Sequence, residues 1–245
     1  MIAGYKMNNG RQSITRRLVL KMTGGLIFMP SFPSSIFDFF VKPLPVRTVE
    51  QTRFKFDPGK GFIEWEKKPK EEYRLIVDGM VKEAKRYSYV DLRAFPQVEQ
   101  VSDFHCVEGW SVKDLMWGGF RFKEILDRVE PAPGATHVLF HSFGTTGSSP
   151  KGQNHYIESL PLSELLDSTR EILLVLAMDR KPLPEEYGGP LRLIAPYDLG
   201  YKSIKFVSRI EFIKGARPGW WTLANPIYTI EARVQKNRLR RLPGK

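Results

Sequence analysis

Glycine and proline cut this chain into pieces too short for long helices or for regular strand–helix–strand winding. Twenty glycines and eighteen prolines are spread along 245 residues. Between them lie short apolar runs with the alternation or the β-branched content of strands. Tyr73–Val77 alternates and ends at Asp78-Gly79, a hairpin signal. Val98–Val107, His137–Phe143, Tyr156–Leu160, Leu191–Ala195 and Phe206–Ile213 read as further strands. Ile172–Met178 is a buried apolar run of either type. Three short helices are expected. Ser88 and Asp91 form a capping box for a helix through Ala94, which Pro96 stops. Lys123–Val129 places Ile125, Leu126 and Val129 on one face, and Ser163 is expected to cap the third. Short helices scattered among many strands specify an α+β fold.

The length suits one domain with a substantial core. Residues 41–245 are read as that domain, with 42–70 an irregular lead-in rich in Pro, Lys and Gly. The net charge of +11 is unevenly spread. Lys6, Arg11, Arg16, Arg17 and Lys21 give the first thirty residues +5 with no acid, and Lys236, Arg238, Arg240, Arg241 and Lys245 close the chain as a basic tail. No zinc-finger spacing, RNP-like motif or heptad repeat accompanies the charge, so nucleic acid is not the expected partner. Solvated tails and an anion-binding pocket account for it.

The first forty residues read as an address. Thr15-Arg16-Arg17-Leu18-Val19-Leu20-Lys21 has the pattern of a twin-arginine export signal, and Met22–Met29 follows as a short apolar core. That core is too short for an ordinary transmembrane helix. Residues 1–40 are therefore expected to be a signal or a membrane tether with its linker. The product would lie in the periplasm or on the outer face of the cytoplasmic membrane. The twin-arginine route carries folded proteins, which suits a cofactor inserted before export.

Cys106 is the only cysteine, so it cannot form an internal disulfide. It is either a small buried hydrophobe or a chemical group, nucleophile or soft metal ligand. His105 adjoins it but should point to the opposite face of the strand, which leaves a cysteine hydrolase unsupported. Clustered zinc spacing, C-x-x-C-H and C-x-x-C are all absent from the sequence. Gly144-Thr145-Thr146-Gly147 lacks the ending of a phosphate-binding P-loop. The stronger constellation is Gly188-Gly189-Pro190-Leu191-Arg192, followed by Lys202-Ser203-Ile204-Lys205. Arg192 offers a planar fork for phosphate from within an apolar strand, and Lys202 and Lys205 add point charges. A buried phosphorylated cofactor needs such a set.

Four ordered motifs then resemble the sulfite oxidase-like molybdenum-cofactor family, especially its small bacterial and archaeal members. They are His105-Cys106-Val107-Glu108-Gly109-Trp110-Ser111, Tyr156-Ile157-Glu158-Ser159-Leu160-Pro161-Leu162, the Gly-Gly-Pro-Leu-Arg block and Lys202–Lys205. The resemblance covers about Tyr73 to Ile213. It implies the molybdopterin-binding α+β fold with mixed and antiparallel sheets, and Mo-molybdopterin as cofactor. It implies Cys106 as the protein thiolate on molybdenum and Tyr156 beside the metal's oxo group. Arg192, Ser142, Tyr187, Ser203, Ile204 and Lys205 fall on pterin- and phosphate-contacting positions. Tyr187 stands where relatives carry His or Asn. Sulfite oxidases carry arginines shortly after the cysteine, whereas Val107-Glu108-Gly109-Trp110 follows here.

The resemblance implies an exported oxidoreductase that transfers an oxygen atom to or from a small substrate. Reduction of an S-oxide or N-oxide is the first expectation. Sulfite oxidation and a non-catalytic cofactor- or anion-binding module are the alternatives. With no haem or iron–sulfur motif in the sequence, electrons are expected from a separate protein, a membrane haem subunit or a cytochrome.

Overall fold

The computed structural model describes residues 48–244 apart from 52 and 67. The expected signal or tether at residues 1–40 lies outside the described residues. Thirteen strands and four short helices follow in order: β1 Phe54–Asp57, β2 Phe62–Trp65, β3 Glu71–Glu72, β4 Arg74–Gly79, β5 Lys85–Ser88, α1 Tyr89–Ala94, β6 Val98–His105, β7 Ser111–Phe120, α2 Lys123–Val129, β8 His137–Ser142, β9 Ile157–Pro161, α3 Leu162–Leu166, β10 Leu173–Met178, β11 Lys181–Pro182, β12 Arg192–Ile194, β13 Val207–Ile213 and α4 Trp220–Ala224. The α+β expectation holds. Among the described residues no helix is long and apolar enough to cross a membrane.

Two five-stranded sheets frame the molecule. One runs β5-β4-β13-β8-β9, with β4 and β13 parallel and the other pairs antiparallel. The other runs β11-β10-β7-β6, all antiparallel, with β12 also paired to β10. Leu75, Val77, Phe140, Ile210 and Phe212 of the first sheet share one apolar core with Phe120, Leu174 and Leu193 of the second. Alternate residues of β10, Leu173 and Val175, face a second cluster with Trp117, Tyr187 and Ile194. Burial on both faces makes β10 a near-continuous apolar run, and pairing with β7 and β12 settles it as a strand.

The capping box at Ser88 forms as expected: Ser88 Oγ accepts from Asp91 N at 3.2 Å, and Asp91 accepts from Ser88 N at 2.7 Å. Such a cap contributes about 1 kcal/mol. Ser163 does not cap α3. Leu162 N donates to Thr136 O at 2.9 Å, so the chain turns at Pro161 and Ser163 lies inside the helix. The lead-in at 42–70 is not irregular throughout. Asp57 Oδ1 accepts from Gly59 and Lys60 N, closing a turn between β1 and β2. Phe54 packs on Phe143 and Phe206 at 4.9 and 5.5 Å, which anchors this hairpin at the ends of β8 and β13. β7 is a strand that the sequence masks. Asp114 at φ 59° and the Gly118-Gly119 pair interrupt its alternation, yet it pairs on both sides.

Candidate functional site

The β6–β7 hairpin delivers Cys106. His105 pairs with Ser111 at its end, and Cys106 is the first residue beyond the ladder. Cys106 N donates to Trp110 O at 2.9 Å and Gly109 N to Cys106 O at 3.2 Å. Gly109 takes φ 96°, a conformation glycine adopts without Cβ strain. This small turn leaves Cys106 half-buried, with Val107, Glu108 and Gly109 exposed beside it. Glu108 accepts from Trp110 Nε1 at 3.0 Å and lies 3.9 Å from Cys106 Sγ. His105 is buried and turned to Ser111 Oγ, 2.8 Å from its Nδ1, while burial pushes the imidazole pKa down. It therefore serves the hairpin.

His105 also bridges in parallel to Leu199, which joins the Cys106 turn to the segment carrying Ser203, Ile204 and Lys205. Phe104 stacks near Trp110 at 6.0 Å and lies 5.8 Å from the Arg192 guanidinium carbon. Trp117 flanks the same guanidinium at 5.5 Å. Arg192 is 1% exposed. Its Nη1 donates to Tyr187 O at 2.7 Å and its Nη2 to Ser203 O at 3.1 Å. Tyr187 thus contributes its backbone carbonyl, and its ring joins the second core cluster. Ser203 Oγ accepts from Ala195 N at 3.1 Å, and Ile204 O accepts from Leu193 N at 2.9 Å. The Ser203–Lys205 run is stitched to β12 by these bonds.

Lys205 stands against Gly188, whose φ of 104° and missing Cβ admit the lysine stem. Its ammonium donates to Glu186 O at 2.9 Å. Burial, with Arg192 as a like charge nearby, pushes the Lys205 pKa down to about 8. Burial likewise lowers Arg192 to about 9. Ser142 N donates to Tyr156 O at 2.9 Å, and Ser142 pairs with Val207 two residues beyond Lys205. Tyr156 is buried. Its hydroxyl donates to Tyr201 O at 2.6 Å, and its ring stacks at 6.3 Å on Trp220 of α4. That bond uses the one proton the hydroxyl has to donate.

Several polar atoms in this region are left over, Trp117 Nε1 beside the guanidinium among them. Arg192 Nε and Ser142 Oγ are buried and make no hydrogen bond among the described residues. Buried donors without partners are uncommon in native proteins. A cation held in an apolar setting costs free energy that an anion would recover. Arg192, Lys205 and Ser142 together fit a buried anionic group with additional acceptors, such as a phosphorylated pterin.

Lys202 departs from expectation. It does not add charge to an anion pocket, because its side chain is 3% exposed and its ammonium binds Glu158 at 2.7 Å and Ser159 O at 3.0 Å. This pair locks the Gly200–Lys202 turn to β9, the strand that follows Tyr156. Burial raises Glu158 to about 7, against the opposing pull of Lys202. Lys202→Met is expected to cost about 3–5 kcal/mol by stranding a buried carboxylate. Without its partner Glu158 holds its proton to still higher pH. A raised carboxyl contributes stability at low pH that is lost as pH rises, so the variant's deficit should grow through about pH 7. Urea unfolding at pH 6 and pH 8.5 reads this, and an equal deficit at both pH values would refute it. Glu158 and Lys202 both sit in motifs the sequence singles out, but their pairing is visible only across 44 residues of chain.

Comparison with known proteins shows the family. The family profile described as "Oxidoreductase molybdopterin binding domain" matches residues 63–221. The chain belongs to this family. Its domain is of the kind that binds molybdopterin, and the fit of Arg192, Lys205 and Ser142 agrees. The chain is 34% identical over 160 residues to the protein-methionine-sulfoxide reductase catalytic subunit MsrP of Ralstonia nicotianae, covering 63% of this chain and 47% of that protein. It is 33% identical over 150 residues to the oxidoreductase YuiH of Bacillus subtilis, covering 61% of this chain and 70% of that protein. It is 28% identical over 208 residues to MsrP of Pseudomonas syringae pv. tomato, covering 78% and 60%. The chain thus spans 47% to 60% of the length of these MsrP proteins. The sulfane dehydrogenase SoxCD of Paracoccus pantotrophus shares the fold, with a TM-score of 0.55 at 18% identity over 76% of this chain and 54% of that one.

Proposed function

We propose that this protein is an exported molybdenum oxidoreductase that reduces an S-oxide, with Cys106 as the protein ligand of the metal. The observation that carries the cofactor reading is the buried Arg192 guanidinium with its orphaned Nε, beside Lys205 and the orphaned Ser142 Oγ. Similarity to MsrP supports an S-oxide substrate. So does the rim of the cysteine turn, where Val107 is 42% exposed and an acidic Glu108 faces solvent. A neutral sulfoxide tolerates this rim better than a sulfite dianion, which Glu108 would repel.

Bound molybdenum supplies the two-electron oxygen-atom chemistry, and the protein's residues do the rest. Cys106 offers a soft thiolate from a backbone-locked turn. Arg192, Lys205 and Ser142 hold the pterin and its phosphate, and the Ser203–Ile204–Lys205 backbone wraps that end. The Tyr187 contribution is the carbonyl that orients Arg192. Tyr156, backed by Trp220, borders the reaction space and holds a proton on its hydroxyl; burial keeps that phenol protonated well above the ordinary range. Reducing equivalents come from a separate electron-transfer protein, a haem subunit or a cytochrome. The twin-arginine pattern at Thr15–Lys21 supports export to the periplasm or the outer membrane face.

The test is a substrate screen on the metal-loaded protein, reduced anaerobically and then mixed with sulfoxides, N-oxides or sulfite. Sulfoxide should reoxidise the centre within turnover time. Reduction of the oxidised centre by sulfite, with no response to sulfoxide or N-oxide, would replace the proposal with sulfite oxidation.

A further inference from the structure

The basic C-terminal segment is not a solvated tail. Leu199 N donates to Ala232 O at 2.6 Å and Val234 N to Tyr197 O at 3.1 Å, so residues 232–234 run beside 197–199. Arg233 reaches Asp198 at 2.7 Å. Beyond it, Arg240 grips Asp103 of β6 and Asp114 of β7, the latter at 2.8 Å, and Arg241 binds Glu171 at 2.8 Å. Between these anchors Arg238 Nη2 donates to Cys106 O and Trp110 O, each at 2.9 Å, with Ser111 Oγ at 3.3 Å. The same Trp110 O accepts the Cys106 amide. One guanidinium therefore closes both ends of the turn that aims Cys106, from 132 residues away.

We propose that Arg238 is a positioning residue for Cys106, setting the direction of its Cα–Cβ bond and placing a fixed positive charge beside its thiolate. The geometry needs a nitrogen with two protons here. Two carbonyls converge on one nitrogen, which a delocalised guanidinium satisfies with its two protons. Its Nη2 lies 2.9 Å from the carbonyl oxygen of Cys106 itself, which puts the charge beside that residue. The sulfite oxidase-type arginines that the sequence lacks just after the cysteine are thus not replaced in kind: Arg238 spends its donors on backbone and acts through the cysteine. A positive charge at that distance favours the electron-rich form of whatever the thiolate binds.

The role at the metal rests on the proposed molybdenum ligation by Cys106; the clamp on the turn does not. The experiment has an arm for each. In cofactor-free protein, Arg238→Gln should speed amide hydrogen exchange at Cys106–Trp110 by about ten-fold or more, the loss of a charge-assisted bond. Exchange in β10 should stay as it was. In metal-loaded protein the same variant should lower the midpoint potential and alter the paramagnetic signal of the half-reduced centre. Arg238→Lys keeps the charge and should restore most of the potential but less of the exchange protection. It also serves as the folded variant if the glutamine form does not fold. Arg74→Gln, which removes an exposed charge paired with Glu72 on β4 of the other five-stranded sheet, should leave the potential unchanged. Unchanged turn exchange overturns the clamp. A potential and signal unmoved in loaded Arg238→Gln overturn the electrostatic role. A wild-type protein without molybdenum sinks the proposed function, and the exchange arm still decides the clamp.

Discussion

Cys106→Ser is expected to abolish oxygen-atom transfer while the fold and most of the metal remain. A hydroxyl is harder and far less acidic than a thiol, so it does not supply the soft anionic donor that a redox-cycling metal takes from cysteine. Changes one shell further out commonly cost about 10–100-fold, and loss of the ligand itself should exceed that. Fold retention follows from position: Cys106 lies outside the β6–β7 ladder, is half-buried and packs in neither apolar cluster. The molybdopterin would keep holding the metal. Turnover, metal analysis and paramagnetic resonance on one preparation check the three parts. Turnover at the wild-type rate would remove Cys106 from the chemistry.

Arg192→Lys is expected to empty the cofactor site despite conserving charge. The guanidinium spends two donors on Tyr187 O and Ser203 O, and its buried Nε has no hydrogen-bond partner among the described residues. A lysine ammonium is a single point on a flexible stem and cannot span those directions. One buried carbonyl left without a donor costs about 1–3 kcal/mol, and losing a charge-assisted bond to the pterin phosphate should weaken retention by about ten-fold or more. Molybdenum per protein after dialysis and urea unfolding of the cofactor-free form measure the two effects. Full metal retention with unchanged stability would mean that Arg192 is a packed core cation with no ligand.

Much of the frame is legible in order along the chain. α1 and its capping box, α2, β8, β12 and β13 follow from period, β-propensity and Pro/Gly stops, because these are local preferences read within a few residues. β7 and the β1–β2 hairpin are hidden, since a bulge, two adjacent glycines and a Pro-Gly turn break the patterns that announce strands. Lys202 shows the limit for site residues. Its place in a basic motif suggests an anion, and only the fold reveals Glu158 beneath it. Arg238 is the converse, a residue inside an unremarkable basic tail that the fold carries to Cys106.

By itself the sequence determined the α+β class, the single thiol, the positions of the four motifs and the arginine buried in an apolar strand. These depend on residue type and near-neighbour spacing. Tertiary structure alone decided which charges meet: Lys202 with Glu158, Arg192 with two carbonyls and an unfilled nitrogen, and Arg238 with the Cys106 turn. Those pairings join residues from 5 and 11 positions apart at Arg192 to 44 at Lys202 and 132 at Arg238, and they acquire their energies only when packing removes water from between them.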